Sequence, residues 1–138
     1  MENQELVHEQ YGAVSLQDRV NEALRRAGLG TGTLTWSDLV PLDQFHVRGF
    51  AATRELAEAL SLQPGSHVLD VGCGLGGPAR FLAATYACRV TGIDLTEPFI
   101  DVATLLTERC GLTESVTFRR ADALELPFAE SSFDDAWT

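Results

Sequence analysis

Lysine is missing altogether from the 138 residues, and all ten basic side chains are arginine. Schiff-base chemistry and the lysine of a phosphate-binding P-loop are therefore excluded. Positive charge is scarce as well: twenty acids against ten arginines leave a net charge of -10. No nucleic-acid partner is expected, because duplex and single-strand binding both rest on clustered cations that neutralise phosphate. Cysteine is sparse and odd in number, with Cys73, Cys88 and Cys110 forming no C-x-x-C pair and no histidine at metal-ligand spacing. We read them as reduced, mostly buried thiols and expect no metal. Long apolar runs are absent too: none approaches the roughly 20 residues that span a bilayer. The acidic start Met1-Glu2-Asn3-Gln4-Glu5 lacks the basic-then-apolar pattern of a secretion signal. No membrane partner is expected, and the cytoplasm is the simplest location.

What the chain does have is enough apolar residue, 45% of the total, for a single core. Its organisation changes near residue 63. Ser15 is placed to cap a helix in which Leu16, Val20, Ala23, Leu24 and Ala27 recur at helical spacing, and Gly28 with Gly30 would stop it. Residues 28–35 read as a loop, and a second helix carries Phe50, Ala57 and Leu60 on its apolar face with Leu56 beside it. Pro64-Gly65 ends that helix. From there short apolar strands alternate with helices: strands at 68–71, 90–94, 116–119 and 133–137, helices at 78–86 and from 97 to about 110. The expected fold is α/β, a doubly wound Rossmann-like parallel sheet with helices on both faces. Residues 1–62 are expected to form a helical lid region and 63–138 the core, which is cut short after the start of a fourth strand.

The run from His67 to Pro78 reads as strand, glycine turn and helix start. Gly72, Gly74 and Gly77 satisfy G-x-G-x-x-G, and Asp94 lies 22 residues after Gly72, so the dinucleotide fingerprint is met in the letter. Asp70 bears on the choice of ligand. A carboxylate two residues before the first glycine would repel the pyrophosphate of a nicotinamide cofactor. S-adenosylmethionine has no phosphate and carries a sulfonium and an ammonium against one carboxylate, so the same acid favours it.

Asp70-Val71-Gly72-Cys73-Gly74-Leu75-Gly76 resembles the first motif of the class I S-adenosylmethionine-dependent methyltransferases. In the expected order, Val90-Thr91-Gly92-Ile93-Asp94-Leu95-Thr96 is similar to their second strand, and Arg120-Ala121-Asp122-Ala123-Leu124-Glu125-Leu126-Pro127-Phe128 to their adenine-binding segment. Ser132-Phe133-Asp134-Asp135-Ala136-Trp137 is similar to the start of their fourth strand. The resemblance implies that the backbone of Gly72, Cys73, Gly74 and Gly76 faces the methionine part of the cofactor, with Asp70 on the ligand side directly or through water. It implies that Asp94 holds the ribose hydroxyls, Leu95 lies against adenine, Asp122 accepts the exocyclic amine, and the Ala123 amide serves a ring nitrogen.

Each of these residues also has a plainer reading. The glycines permit turns with positive φ, Asp94 could cap the following helix although Thr96 is available for that, and Asp122 could be a loop acid. Phe128 and Trp137 are read as core. The segment 44–50 is similar to the part of small-molecule methyltransferases that folds over the cofactor, so Gln44 and His46 are candidates for its carboxylate or for the substrate pocket. No catalytic residue is named, since the acceptor contacts of the family normally lie beyond the fourth strand. The reading is methyl transfer to a small-molecule acceptor, with this chain supplying the cofactor half. The alternatives are a noncatalytic cofactor-binding or assembly fragment, self-associating through an open sheet edge, and an NAD-dependent oxidoreductase.

Overall fold

The computed structural model describes residues 15–43 and 49–138. The expectations for Gln44 and His46 lie outside the described residues. Two compact units divide at Gly32 and Thr33.

The first unit contains helix α1, Leu16–Arg26. Ser15 and Asp18 cap it reciprocally: Ser15 Oγ accepts from the Asp18 N–H at 3.1 Å, and Asp18 Oδ2 accepts from the Ser15 N–H. Only Val20 and Leu24 of the expected apolar stripe are buried, whereas Ala23 and Ala27 are exposed. Small alanine side chains add little burial energy, so they do not define the helix face.

The second unit begins with two short helical segments that periodicity did not reveal, a 3-10 turn at Trp36–Leu39 and α2, Val40–Asp43. Helix α3 follows at Gly49–Leu60. Then come β1 (His67–Val71), α4 (Gly77–Tyr86), β2 (Arg89–Asp94), α5 (Glu97–Arg109), β3 (Val116–Arg120) and β4 (Asp135–Trp137). Pro78 and Pro98 sit in the first turns of α4 and α5, where a missing N–H costs nothing. Gly111, at φ +68°, follows the last turn of α5.

All four strands pair in parallel, in the order β3-β2-β1-β4. The order reverses beside β1, which makes the carboxyl ends of β1 and β4 the switch point at which such sheets bind ligands. Val68, Val90 and Val116 come from three adjacent strands and meet Phe81 and Leu82 of α4 and Ala57 of α3 in one core. Trp36, Phe50, Phe81 and Tyr86 extend it, with successive ring centroids 5.0 to 5.8 Å apart. Trp137 belongs to this core as expected. Phe128 does not; it is half-buried against Phe133 at 5.0 Å, in a separate aromatic group.

Candidate functional site

The site forms where β1 and β2 end. The chain leaves β1 through Gly72 at φ +72°, and the N–H groups of Gly72 and Cys73 both donate to the Ile93 carbonyl at 2.9 Å. The glycine turn is thus tied to the end of the neighbouring strand. Gly74 (φ +55°) and Gly76 (φ +84°) also adopt the left-handed conformation that disfavours any side chain. Their surroundings differ. A Cβ on Gly72 or Gly74 would meet nothing within 4 Å, whereas one on Gly76 would lie 2.5 Å from Phe118 Cζ and 2.9 Å from an Arg80 guanidinium nitrogen. The first two glycines leave open space, and the third is required by packing.

Asp94 closes β2. Its Oδ2 accepts from the Gly74 N–H at 3.1 Å and its Oδ1 from the Thr96 N–H at 2.9 Å. Thr96 does occupy the helix-capping position, its hydroxyl makes no capping bond, and Asp94 accepts from the Thr96 N–H rather than from a first-turn amide of α5. An ionised carboxylate has about four acceptor directions. Two remain for a ligand, and the two in use fix the carboxylate's orientation.

Asp94 and Gly72 line a cavity of about 290 Å³ with Leu95, Ala121, Asp122 and Ala123. The Ala121 N–H donates to the Asp94 carbonyl at 3.1 Å, which brings the segment after β3 to this cavity. Asp122 is exposed, and its Oδ1 accepts from the Leu124 N–H at 2.9 Å in a tight turn. Leu95 is 62% exposed beside it, an apolar surface with no protein cover among the described residues.

Gly72 also lines a second cavity, of about 460 Å³. Asp70 forms its polar wall, and Ala52 and Leu56 of α3, Pro78 and Trp137 form an apolar one. Asp70 is buried, and its Oδ2 has no hydrogen-bond partner among the described residues. Burial pushes its pKa up to about 7; the indole of Trp137 opposes the shift and the charge of Asp94 adds to it. An unmatched buried carboxyl aimed into a cavity is a place for a cationic group.

Asp70, Gly72, Asp94, Leu95, Asp122 and Ala123 therefore gather around two adjoining cavities that share Gly72. Cys73 lines neither. Its Cβ lies 2.9 Å from where a side chain on Gly92 would start, its N–H is bonded to Ile93, and burial raises its thiol pKa far above the usual value. Sequence reasoning missed Ala52, Thr53, Pro78 and the cavity-facing part of Trp137. Only an apolar run signalled Trp137, and a strand end can be core and cavity wall together.

Fold and site define a Rossmann-like protein with two adjoining cavities at the carboxyl ends of its parallel strands. The chain belongs to the methyltransferase domain family, whose family model matches residues 68–138. It is 37% identical over 123 residues to methyltransferase GfsG of Streptomyces halstedii, an overlap of 87% of this chain and 44% of that protein. Among solved structures it is similar to the (4+2)-cyclase SpnF, at TM-score 0.59 and 34% identity, over 69% of this chain and 36% of that one. A phosphoethanolamine N-methyltransferase of Haemonchus contortus, solved with phosphomonomethylethanolamine and S-adenosylhomocysteine, matches at TM-score 0.59 and 29% identity over 64% of this chain and 20% of that one. The chain spans less than half the length of each of these relatives.

Proposed function

We propose that this chain provides the S-adenosylmethionine site of an enzyme that transfers a methyl group to a small-molecule acceptor. The observation that carries this reading is the pair of acids around Gly72: Asp94, held by two backbone N–H groups with acceptor capacity left, and Asp70, buried with no partner for Oδ2 among the described residues. Asp94 suits a ligand that offers ribose hydroxyls and Asp70 one that offers positive charge, and Asp70 disfavours a pyrophosphate.

Asp94 would accept the two ribose hydroxyls, Leu95 and Ala123 would flank the base, and Asp122 would accept from its amine. Gly72 and Gly74 leave room for the backbone to approach the amino-acid portion, beside Asp70. Bound there, S-adenosylmethionine supplies a methyl group on a cationic sulfonium. The protein's part is to orient that group toward the second cavity, whose apolar wall of Ala52, Leu56, Pro78 and Trp137 keeps water from the reaction path. GfsG and the Haemonchus enzyme are both named methyltransferases, which supports the reaction class. The segment 1–62 as a lid, and Gln44 and His46 as ligand contacts, belong to the same proposal. So do a cytoplasmic location and pairing of a second copy along the free edge of β4; no described helix is long and apolar enough to cross a membrane.

Calorimetric titration tests the reading. S-adenosylmethionine should bind the wild-type chain, and Asp94→Ala should weaken it by roughly 10- to 100-fold, the equivalent of about 1.5–3 kcal/mol for hydrogen bonds to a charged group. Equal affinity in the variant, or affinity for NAD with none for S-adenosylmethionine, overturns it.

A further inference from the structure

Beneath the glycine loop lies a fully buried ion pair that the proposed ligand does not touch. Arg80 is the single charged residue of α4, and its side chain is 0% exposed. One terminal nitrogen donates to the Ala103 carbonyl at 3.2 Å and the Thr107 hydroxyl at 3.1 Å, both on α5. The other donates to Asp43 Oδ2 at 2.8 Å and to the Leu75 carbonyl at 2.7 Å. That second nitrogen is shared between the last residue of α2 and the middle of the glycine loop. Gly76 must lack a side chain for this to happen, since its Cβ would lie 2.9 Å from the guanidinium. Asp43 stands six residues before α3 begins at Gly49, and α3 carries Ala52, Thr53 and Leu56 into the cavity that Asp70 faces.

We infer that Arg80 and Asp43 are positioning residues that couple the conformation of the glycine loop to the placement of α2, the helical turn that Asp43 ends. The inference rests on the proposed S-adenosylmethionine site, and it assigns to a pair outside that site the task of bracing the glycine loop against α2. Geometry supports coupling rather than general cohesion. A guanidinium is a rigid fork, so moving Asp43 or Leu75 reorients the donors offered to the other. Burial removes the alternative of water as a partner for either group.

Amide hydrogen exchange without any ligand tests the coupling by itself. In the wild-type chain, the amides of Val40, Leu42 and Asp43 and of residues 74–76 should open with the same free energy and the same denaturant dependence, as one cooperative unit. Asp43→Asn keeps the volume and one acceptor oxygen while removing the charge; it should speed exchange at 74–76 as well as at 40–43. Val116→Ala, a core change at the opposite end of the sheet, should lower global stability without singling out 74–76. Titration of S-adenosylmethionine then supplies the second readout, with about ten-fold weaker binding expected for Asp43→Asn, the size seen when a contact residue loses its outer support. The inference is overturned if the two segments open independently in the wild type, if Asp43→Asn loosens 40–43 alone, or if its affinity equals that of the wild type. Coupled exchange together with no binding by the wild type would instead refute the proposed function and leave the coupling standing.

Discussion

The two ends of the parallel sheet follow opposite rules. At the amino end, His67 Nε2 and Thr91 Oγ1 lie 2.9 Å apart, and the His67 N–H donates to Asp134 Oδ2 at 2.8 Å. The His67 ring rests 4.5 Å from Phe133, which in turn meets Phe128. Each group there is matched by another group of the protein. At the carboxyl end, Asp70 Oδ2 is unmatched among the described residues, Gly72 and Gly74 stand before open space, and Leu95 is exposed. The amino end is finished by packing, and the carboxyl end is left for a ligand to finish.

The strongest way to break this contrast is to remove the support under the carboxyl end. Arg80→Met removes the buried guanidinium that donates to Asp43, Leu75, Ala103 and Thr107, and a loss of roughly 3–5 kcal/mol is expected in urea unfolding. A loss below about 1 kcal/mol would mean that the glycine loop is not held from beneath.

Glycine substitutions sharpen the contrast within the loop itself. Gly76→Ala combines the left-handed penalty of about 1–2 kcal/mol with overpacking of about 1–3 kcal/mol against Phe118. Gly72→Ala carries only the first cost, and should harm cofactor binding more than folding. Equal stability losses in the two variants would erase the distinction between a packing glycine and a ligand-facing one.

pH separates the ends by sign. The Asp70 pKa is raised to about 7 by burial, while an unfolded aspartate titrates near 3.9. Between these values the native state holds more protons than the unfolded chain, so this group's contribution to stability falls as pH rises from about 4 to about 7. Asp70→Asn should remove that slope, seen by comparing urea midpoints near pH 5 and near pH 8. Affinity for the cationic cofactor should rise over the same window in the wild type only, as the carboxylate ionises. A wild-type slope retained in Asp70→Asn would assign the titration elsewhere.

The smallest effect lies at the amino end. Burial, then the charge of Arg89, holds the His67 pKa below its ordinary value, with a Ser132 backbone contact and Asp134 opposing. The unfolded state therefore binds the proton first, and this group's stability contribution is lost as pH falls below about 6.5. His67→Gln should flatten that weak acid-side dependence without affecting cofactor titration. A change in cofactor affinity would show that the two ends are not separate.

How far the sequence told this in advance depends on the range of each interaction. Strands at 68–71, 90–94 and 116–119 were legible because apolar runs bounded by turn residues are local, and each was found within one residue of its observed bounds. The fourth strand is shorter than expected, starting at Asp135, because Phe133 and Asp134 turn to His67 instead. Asp70 was singled out by its place before the first glycine, Asp94 by its spacing after it, and Asp122 by the resemblance to the family's adenine-binding segment. Their different states were not legible: Asp70 is buried with Trp137 beside it, Asp94 is braced by the amides of Gly74 and Thr96, and Asp122 is exposed, and the first two depend on residues 67 and 20 positions away. Arg80 had a local signal, a lone charge in an apolar helix, but its partner is 37 positions away and no periodicity links them.

Phe118 gives the spacing of the glycine motif a second meaning. Its ring reaches within 2.5 Å of the missing Cβ of Gly76 and within 2.6 Å of that of Gly92, one in the loop and one in the middle of β2. One ring thus sets the space at both position 76 and position 92. Trimming Phe118 to alanine removes the tightest neighbour at both glycines at once, yet neither position opens fully, because Cys73 Cβ still stands 2.9 Å from a side chain at 92 and an Arg80 nitrogen 2.9 Å from one at 76.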